Sequence, residues 1–443
     1  MGRREALREA TIPLTEDDVI ALSERLGDPG WLREKRLEAW RIAEALPMPT
    51  LSDEPWRRTD IRALHWDEAM QLPSDGGSLR DVPAGLYAPL IGDRQGGLLV
   101  FAGGRLVHRE MSEELSRQGV IFNDLATAAR EHPDLVRKYL MTEIVPHDED
   151  KIAALHAALW THGVFAYIPR GVHVDLPLHS VEYVPHGEMT GTHILVVLEA
   201  DSSATYLHEC ASPTLEGQTL HLGATELAVG EGANLRYVAL QNWGKHTFNF
   251  GHQRGRVGRN GRLDWVAGEM GTRLTKLFMT LDLDGDGSWG RLSGLYFPHG
   301  RQHIDLDTQQ NHHALHTTSD LLFKGALRGH SRSVWQGMIV VDPGAQKTDG
   351  FQANRNLLLD RDARADSIPG LEIKADDVRC THAATVGRVD ETEVFYLMSR
   401  GIPRPEAIRL IVHGFFDPVM QRIPFEEVRA RLAASIEANL DEA

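Results

Sequence analysis

The apolar positions of this chain change period twice. In the first fifty residues they recur at helical spacing. Leu37, Trp40, Ala43 and Leu46 share one face, and Pro47 and Pro49 end the pattern. Thr15 with Asp18 three residues on reads as an N-cap with a short-chain capping box. Residues 50 to 95 are rich in Pro, Gly and Asp and read as loop. LLVFAGGRLV, residues 98 to 107, reads as a hairpin around Gly103–Gly104. Helical spacing returns between about 122 and 160, where Pro133 suits a helix start and Ile152, Leu155 and Leu159 share a face.

From about residue 161 to about 388 the texture is different. Short runs rich in Val, Leu, Tyr and Thr alternate with turns such as Gly230–Glu231–Gly232 and Asn260–Gly261. More than two hundred residues of short strands with no long helix between them imply a sandwich, a barrel or a β-helix, and no clean internal repeat chooses among these. The tail is helical again. Asp390 and Glu393 form a capping-box pair ahead of Val394, Phe395, Leu397 and Met398, and Pro405 suits the first turn of a helix. Val428, Leu432, Ile436 and Leu440 recur every fourth residue, a stripe that either packs on the chain's own core or docks a partner.

Composition narrows the functional classes. Of 443 residues, 42% are hydrophobic and 25% charged, the balance of a globular protein. No apolar run reaches the ~18 residues that span a bilayer. The segment MGRREALREA has charges with no apolar core behind them, unlike a secretory signal. A net charge of −16 argues against a broad nucleic-acid surface. Two cysteines, Cys210 and Cys380, exclude a disulfide framework and suggest a reducing cytoplasmic setting. Two thiols also cannot supply the four thiolates of a self-sufficient iron–sulfur site, so a cluster here would borrow ligands from His, a carboxylate or a partner.

The candidate chemistry is sparse. Asp282, Asp284, Asp286 and Gly287 match the first half of a calcium loop, but the twelfth position is Ser293, so the segment reads as an Asp/Gly turn. Lys347–Thr348 lacks the preceding Gly of a phosphate loop. Histidines gather at His299, His303, His312, His313, His316 and His330. On a strand His312 and His316 would share a face and could hold zinc or iron with Asp305 or Asp307, although half-buried strand histidines bonded to neighbours fit the same pattern. Cys380 and His382 are two apart, so a strand at VRCTHAATV would point both the same way, as a soft donor pair or a nucleophile pair. Asp305, Asp307 and Asp320 are the carboxylates that a carbohydrate-active β-helix enzyme would need.

Residues 319–360 and 371–402, with EPWRRTDIRAL at 54–64 and HAALWTHGVFAYIPRGVHVDLPLHSVEYV at 156–184, resemble the SufB/SufD family, core subunits of the SUF scaffold that assembles iron–sulfur clusters. The Cys380-Thr381-His382 triplet, Asn354 where SufB proteins carry a cysteine, and Ala383 where they carry a glutamate make the chain most like the SufD subunit. The resemblance implies a mainly β fold, a right-handed parallel β-helix at 151–388 between a helical domain with a small hairpin at 1–150 and a helical domain at 389–443. It implies a non-enzymatic scaffold that pairs with a SufB-like sister through the β-helix end. It also implies that the tail from Asp390 to about Leu440 docks a SufC-like ABC ATPase. ATP would then be bound by that partner, and ligands buried at the interface would be exposed as the ATPases close. His382, with Cys380 in support, would face a transient iron–sulfur cluster at the SufB interface, with no metal site independent of it. A homodimer of the isolated chain is a further expectation, from the exposed β-helix end. Nucleic-acid and membrane partners are not expected. The alternatives are a cytosolic His-rich metalloenzyme and a carbohydrate-active β-helix enzyme.

Overall fold

The computed structural model describes residues 12–73, 76–91 and 94–441, so the charged run at 1–10 lies outside the described residues. Helix α1 (Glu16–Leu26) starts at Thr15, whose backbone N–H and hydroxyl both reach the Asp18 carboxylate at 2.8 Å, as the capping pattern predicts. Helix α2 (Gly30–Ala45) ends ahead of Pro47. A short helix α3 (Trp66–Ala69) precedes the hairpin of β1 (Gly97–Ala102) and β2 (Arg105–Met111). Then follow α4 (Glu113–Arg117), β3 (Ile121–Asp124), α5 (Leu125–Glu131), α6 (Pro133–Tyr139) and α7 (Lys151–Leu159).

Sixteen strands come next, in chain order β4 (His162–Ile168), β5 (Leu178–Tyr183), β6 (Thr190–Leu198), β7 (Ser203–Ala211), β8 (Thr219–Val229), β9 (Asn234–Asn242), β10 (Thr247–Val257), β11 (Arg262–Glu269), β12 (Leu274–Leu283), β13 (Trp289–Tyr296), β14 (His303–His312), β15 (Thr318–Leu327), β16 (Arg332–Val341), β17 (Asp349–Leu358), β18 (Arg364–Ile373) and β19 (Arg379–Arg388). Each pairs in parallel with the strand two places on, so even and odd strands form two sheets. The result is a parallel β-helix of about eight turns, which resolves the choice that pattern alone left open. Helices α8 (Glu391–Ser399), α9 (Arg404–Met420) and α10 (Glu426–Asp441) close the chain.

Strand alternation builds the interior. Leu235, Trp265, Leu292 and Leu321 from one sheet meet Leu227, Leu281, Ile304 and Trp335 from the other, all fully or almost fully buried. The turns follow their residues. Asn260 takes φ +51°, a conformation that Asn tolerates better than most side chains.

One end of the β-helix is closed by the chain itself. The β1–β2 hairpin continues one sheet and β3, antiparallel to β4, ends the other. Arg36 ties α2 to this cap from a fully buried position. It pairs with Asp28 at 2.7 Å, donates to the Ala158 and Trp160 carbonyls and lies 4.0 Å over the Trp160 ring. The segment around 54–64 lies against the outer face of the even sheet. There Trp56 packs edge-on against Phe250, and Thr59 donates to Asp305. Among the described residues the opposite end has no such cover. Strands β18 and β19 each have a neighbour on one side only.

The stripe on α10 packs inward. Val428, Leu432 and Ile436 are buried with Val266, Leu295, Ala326, Val412 and Phe416 against the odd sheet. Arg431 reinforces the seat by reaching Glu209, which also bonds His179 at 3.0 Å. Helix α8 is different, for Val394 is its one buried residue, and Phe395 and Tyr396 are 70% and 57% exposed. Ile436→Asp should therefore destabilise the fold by about 3 kcal/mol or more, since an unpaired carboxylate enters an apolar seat. Leu410→Asp, at a half-exposed site, should cost about 0.5 kcal/mol or less. Thermal melts of the two variants check the contrast. Equal losses would mean that the apolar face of α10 is misplaced.

Candidate functional site

The uncovered end of the β-helix holds the sequence-predicted pair. Cys380 and His382 both lie on β19, and alternation puts them on one face. That face is the interior one. A side chain on Gly350, the rung below Cys380, would come within 3.2 Å of the Cys380 sulfur and 3.4 Å of Ile339. Cys380 is half-buried against Ile339, Val341, Ala345 and Ala375. Burial pushes its thiol above the usual range, which disfavours the thiolate that binds metal or attacks. His382 is exposed and stands over Gln352, its rung partner on β17. Further along the same face, Ala384 and Val386 line an open depression with Arg58, Arg364, Ala365 and Ser367.

Asn354 lies one coil below this face, in register with Ala384. It is fully buried and closed into a ring of hydrogen bonds. Its Nδ2 donates to the Tyr296 hydroxyl at 2.9 Å, that hydroxyl donates to Asn356 Oδ1 at 2.7 Å, and Asn356 Nδ2 donates back to Asn354 Oδ1 at 2.7 Å. Every member of the ring has a partner, so Asn354 seals the interior beneath the open end and offers no donor atom outward.

The histidine cluster is not brought together. His312 ends β14 inside the β-helix, its Nδ1 bonded to Thr317 and its Nε2 to Ser319, and burial lowers it to about 4. His316 lies in the following turn with φ +58°, so the expected shared strand face does not exist. Asp305 and Asp307 are taken by Lys276, a fully buried lysine that bridges them at 3.0 and 2.7 Å beneath Trp56. Asp320 faces Arg422. No group of three or more His, Cys, Asp or Glu is placed to hold a metal ion among the described residues. The Asp282–Gly287 segment is a strand end and turn, with Asp286 accepting from the Leu315 N–H. Lys347 pairs with Asp377, and the Thr348 hydroxyl donates to the Ala345 carbonyl, as in an ordinary turn.

Sequence reasoning missed a polar stretch inside the middle turns. Glu182, fully buried, lies 3.1 Å from His162. Burial would raise its carboxyl, but the neighbouring imidazoles, His162 foremost, hold it near about 2. Cys210 lies deep in the same region, its thiol driven well up by burial, beside a cavity of about 50 Å³ lined also by His208, His221, Tyr237, Gln241 and Glu269. Burial pushes Glu269 to about 8, against the opposing hydrogen bond from Gln241 at 2.8 Å. The signal was only the inward parity of these positions in a fold that the pattern did not select.

Glu269 gives a signed pH dependence. Its folded value is about 8 against 4.5 for the open chain, so folding takes up a proton between those limits. Stability from this site is complete below pH 4.5 and is lost as pH rises through 8. Glu269→Gln, which cannot ionise, should match the wild type near about pH 5 and exceed it by more than about 1 kcal/mol near about pH 9. Urea titrations at both values decide it, and a pH-independent difference would mean that Glu269 ionises freely.

Residues 183–415 match the family described as SUF system FeS cluster assembly, SufBD core domain, and residues 25–179 match the SufBD protein N-terminal region. The iron-sulfur cluster assembly protein SufD of Bacillus subtilis strain 168 is 36% identical over 433 residues, covering 96% of this chain and 98% of that protein. An iron-sulfur cluster assembly SufBD family protein of Staphylococcus epidermidis ATCC 12228 is 30% identical over 430 residues, covering 93% of this chain and 90% of that protein.

Proposed function

This chain belongs to the SufBD family of the SUF iron–sulfur cluster assembly system, and we propose that it works there as a non-enzymatic scaffold subunit whose uncovered β-helix end receives a SufB-like sister. The observation that carries this reading is the unpaired edge of the last coil, with Cys380 and His382 on the interior face of one of its two strands. Strand edges left open attract strand edges. A sister docking there would enclose the face that carries His382, Ala384 and Val386.

The nascent cluster is the cargo of that junction. His382 is exposed on this side and supplies an imidazole, a donor type known in iron–sulfur ligation. Cys380 is the weaker contributor, since its raised thiol must first lose a proton. Asn354 contributes structure only, so the thiolates that complete a site come from the sister. ATP is bound by a SufC-like ATPase, and its seat on this chain is the α8–α9 surface. There Phe395, Tyr396, Met398 and Leu410 are 70%, 57%, 45% and 52% exposed. Adjacent apolar side chains at that exposure mark a docking face. The α10 stripe, a candidate docking face by its periodicity, is already spent on the β-helix. Among the described residues no helix is long and apolar enough to cross a membrane.

Co-purification from the native host tests the assembly, and recovery of a SufBD relative with an ABC-type ATPase is the expected result. His382→Ala should preserve that complex and lower its yield of assembled cluster. Normal yield from an intact complex would remove His382 from the junction. Phe395→Asp with Tyr396→Asp should weaken ATPase binding roughly tenfold or more at unchanged melting temperature. Unchanged binding would place the ATPase elsewhere.

A further inference from the structure

The geometry points to Gln352 as the positioning residue for His382, its side-chain oxygen accepting one imidazole N–H so that the other ring nitrogen is turned to the open end. This rests on the reading of His382 as a cluster ligand. The register places Gln352 directly beneath His382 in the parallel ladder of β17 and β19. Both side chains lie on the interior face, as the contact between Cys380 and the Gly350 position two residues back shows. Gln352 is completely buried although only one coil lies above it. Across that coil the inward residues of β18 nearest to it are Ser367 and Pro369, and the ring stacked in register above Gln352 is that of His382.

The carboxamide is held in one orientation. Nε2 donates to the Gly370 carbonyl at 2.8 Å and to the Gly337 carbonyl at 3.4 Å, which leaves Oε1 as the free end. That oxygen lies over Gly337, where a Cβ would come within 2.5 Å of it, so the glycine is what gives the amide room. Oε1 is buried and has no hydrogen-bond partner among the described residues, and His382 makes no hydrogen bond there either. A buried acceptor without a donor is costly, and a ring N–H one rung above removes the cost with a side-chain rotation. An imidazole ligand needs such a partner. Its remote N–H, bonded to an oxygen, fixes the tautomer and keeps the ligating lone pair aimed. The indole Nε1 of Trp335 also lacks an acceptor, and its capture of Oε1 would leave His382 unheld.

The test reads the ring itself in the full-length chain. With ¹⁵N-labelled histidine, the His382 resonances are assigned by their loss in His382→Ala among the 22 histidines. At high pH, with imidazole rings neutral, the wild-type ring should show the two well-separated nitrogen shifts of a single tautomer. Gln352→Leu should collapse them to averaged values, and Gln352→Glu, which keeps an acceptor, should restore the separation. Averaged shifts in the wild type, or separated shifts in a folded Gln352→Leu, overturn the proposal. Should Gln352→Leu lose the last coil, the wild-type spectrum decides alone. In the assembled complex, Gln352→Leu should lower cluster formation about tenfold, a loss typical of removing a ligand's orienting partner. The parent reading fails separately, if His382→Ala forms cluster normally while the tautomer remains fixed.

Discussion

Everything in this molecule depends on the backbone hydrogen bonds that run along the axis of the β-helix. Each coil satisfies the one below it, so the stack can end only where something other than another coil takes over. At the N-terminal end the chain supplies that ending itself, by turning β2 and β3 antiparallel and laying α5 against β3 and β4. At the other end the described residues supply none, and β18 and β19 keep an unpaired edge. The asymmetry makes one end structural and leaves the other for a partner. It also explains why exposure rises so abruptly after β17, where the inward residues of the last coil lose the cover that every earlier coil enjoys.

The interior is not uniformly apolar, and its polar parts have different causes. The ring of Tyr296, Asn354 and Asn356 closes on itself and seals the end of the core. The Lys276 bridge beneath Trp56 fixes the N-terminal segment to the outer face of the even sheet. A fully buried cation there must have both carboxylates, since losing one would leave a charge without compensation. Glu269 is the exception, a carboxyl that stays protonated in its cavity. These groups tune stability with pH, whereas the cluster-facing end is shaped by a single exposed imidazole and what lies under it.

Much of the outline was legible in the sequence. The Thr15 cap, the end of α2 before Pro47, the Gly103–Gly104 hairpin and the pairing of Cys380 with His382 on one strand face all follow from local chemistry, and the structure has them. The β-helix itself was not legible from periodicity. Leu220 pairs with Phe248, Phe248 with Leu274, Leu274 with His303 and His303 with Arg332, steps of 28, 26, 29 and 29 residues that blur any repeat. Resemblance to the family supplied what period could not. The His312–His316 pairing failed because a strand ends at His312, and the acidic pair at Asp305 and Asp307 was consumed by a lysine about thirty residues earlier. Which way the α10 stripe faced depended on the odd sheet's outer surface, and Gln352 mattered only once its rung was known.

Two residues, Val389 and Asp390, separate β19 from α8, and Asp390 already serves as the helix cap by accepting from the Thr392 N–H. Such a join has almost no slack. A force applied to α8 therefore reaches β19 before any other strand. It arrives at the strand's end, where hydrogen bonds along one side resist it in sequence and not all together. Loaded that way, a strand yields like an opened zipper, rung after rung from Arg388 back toward His382, while the α9 and α10 seats hold the body of the protein still.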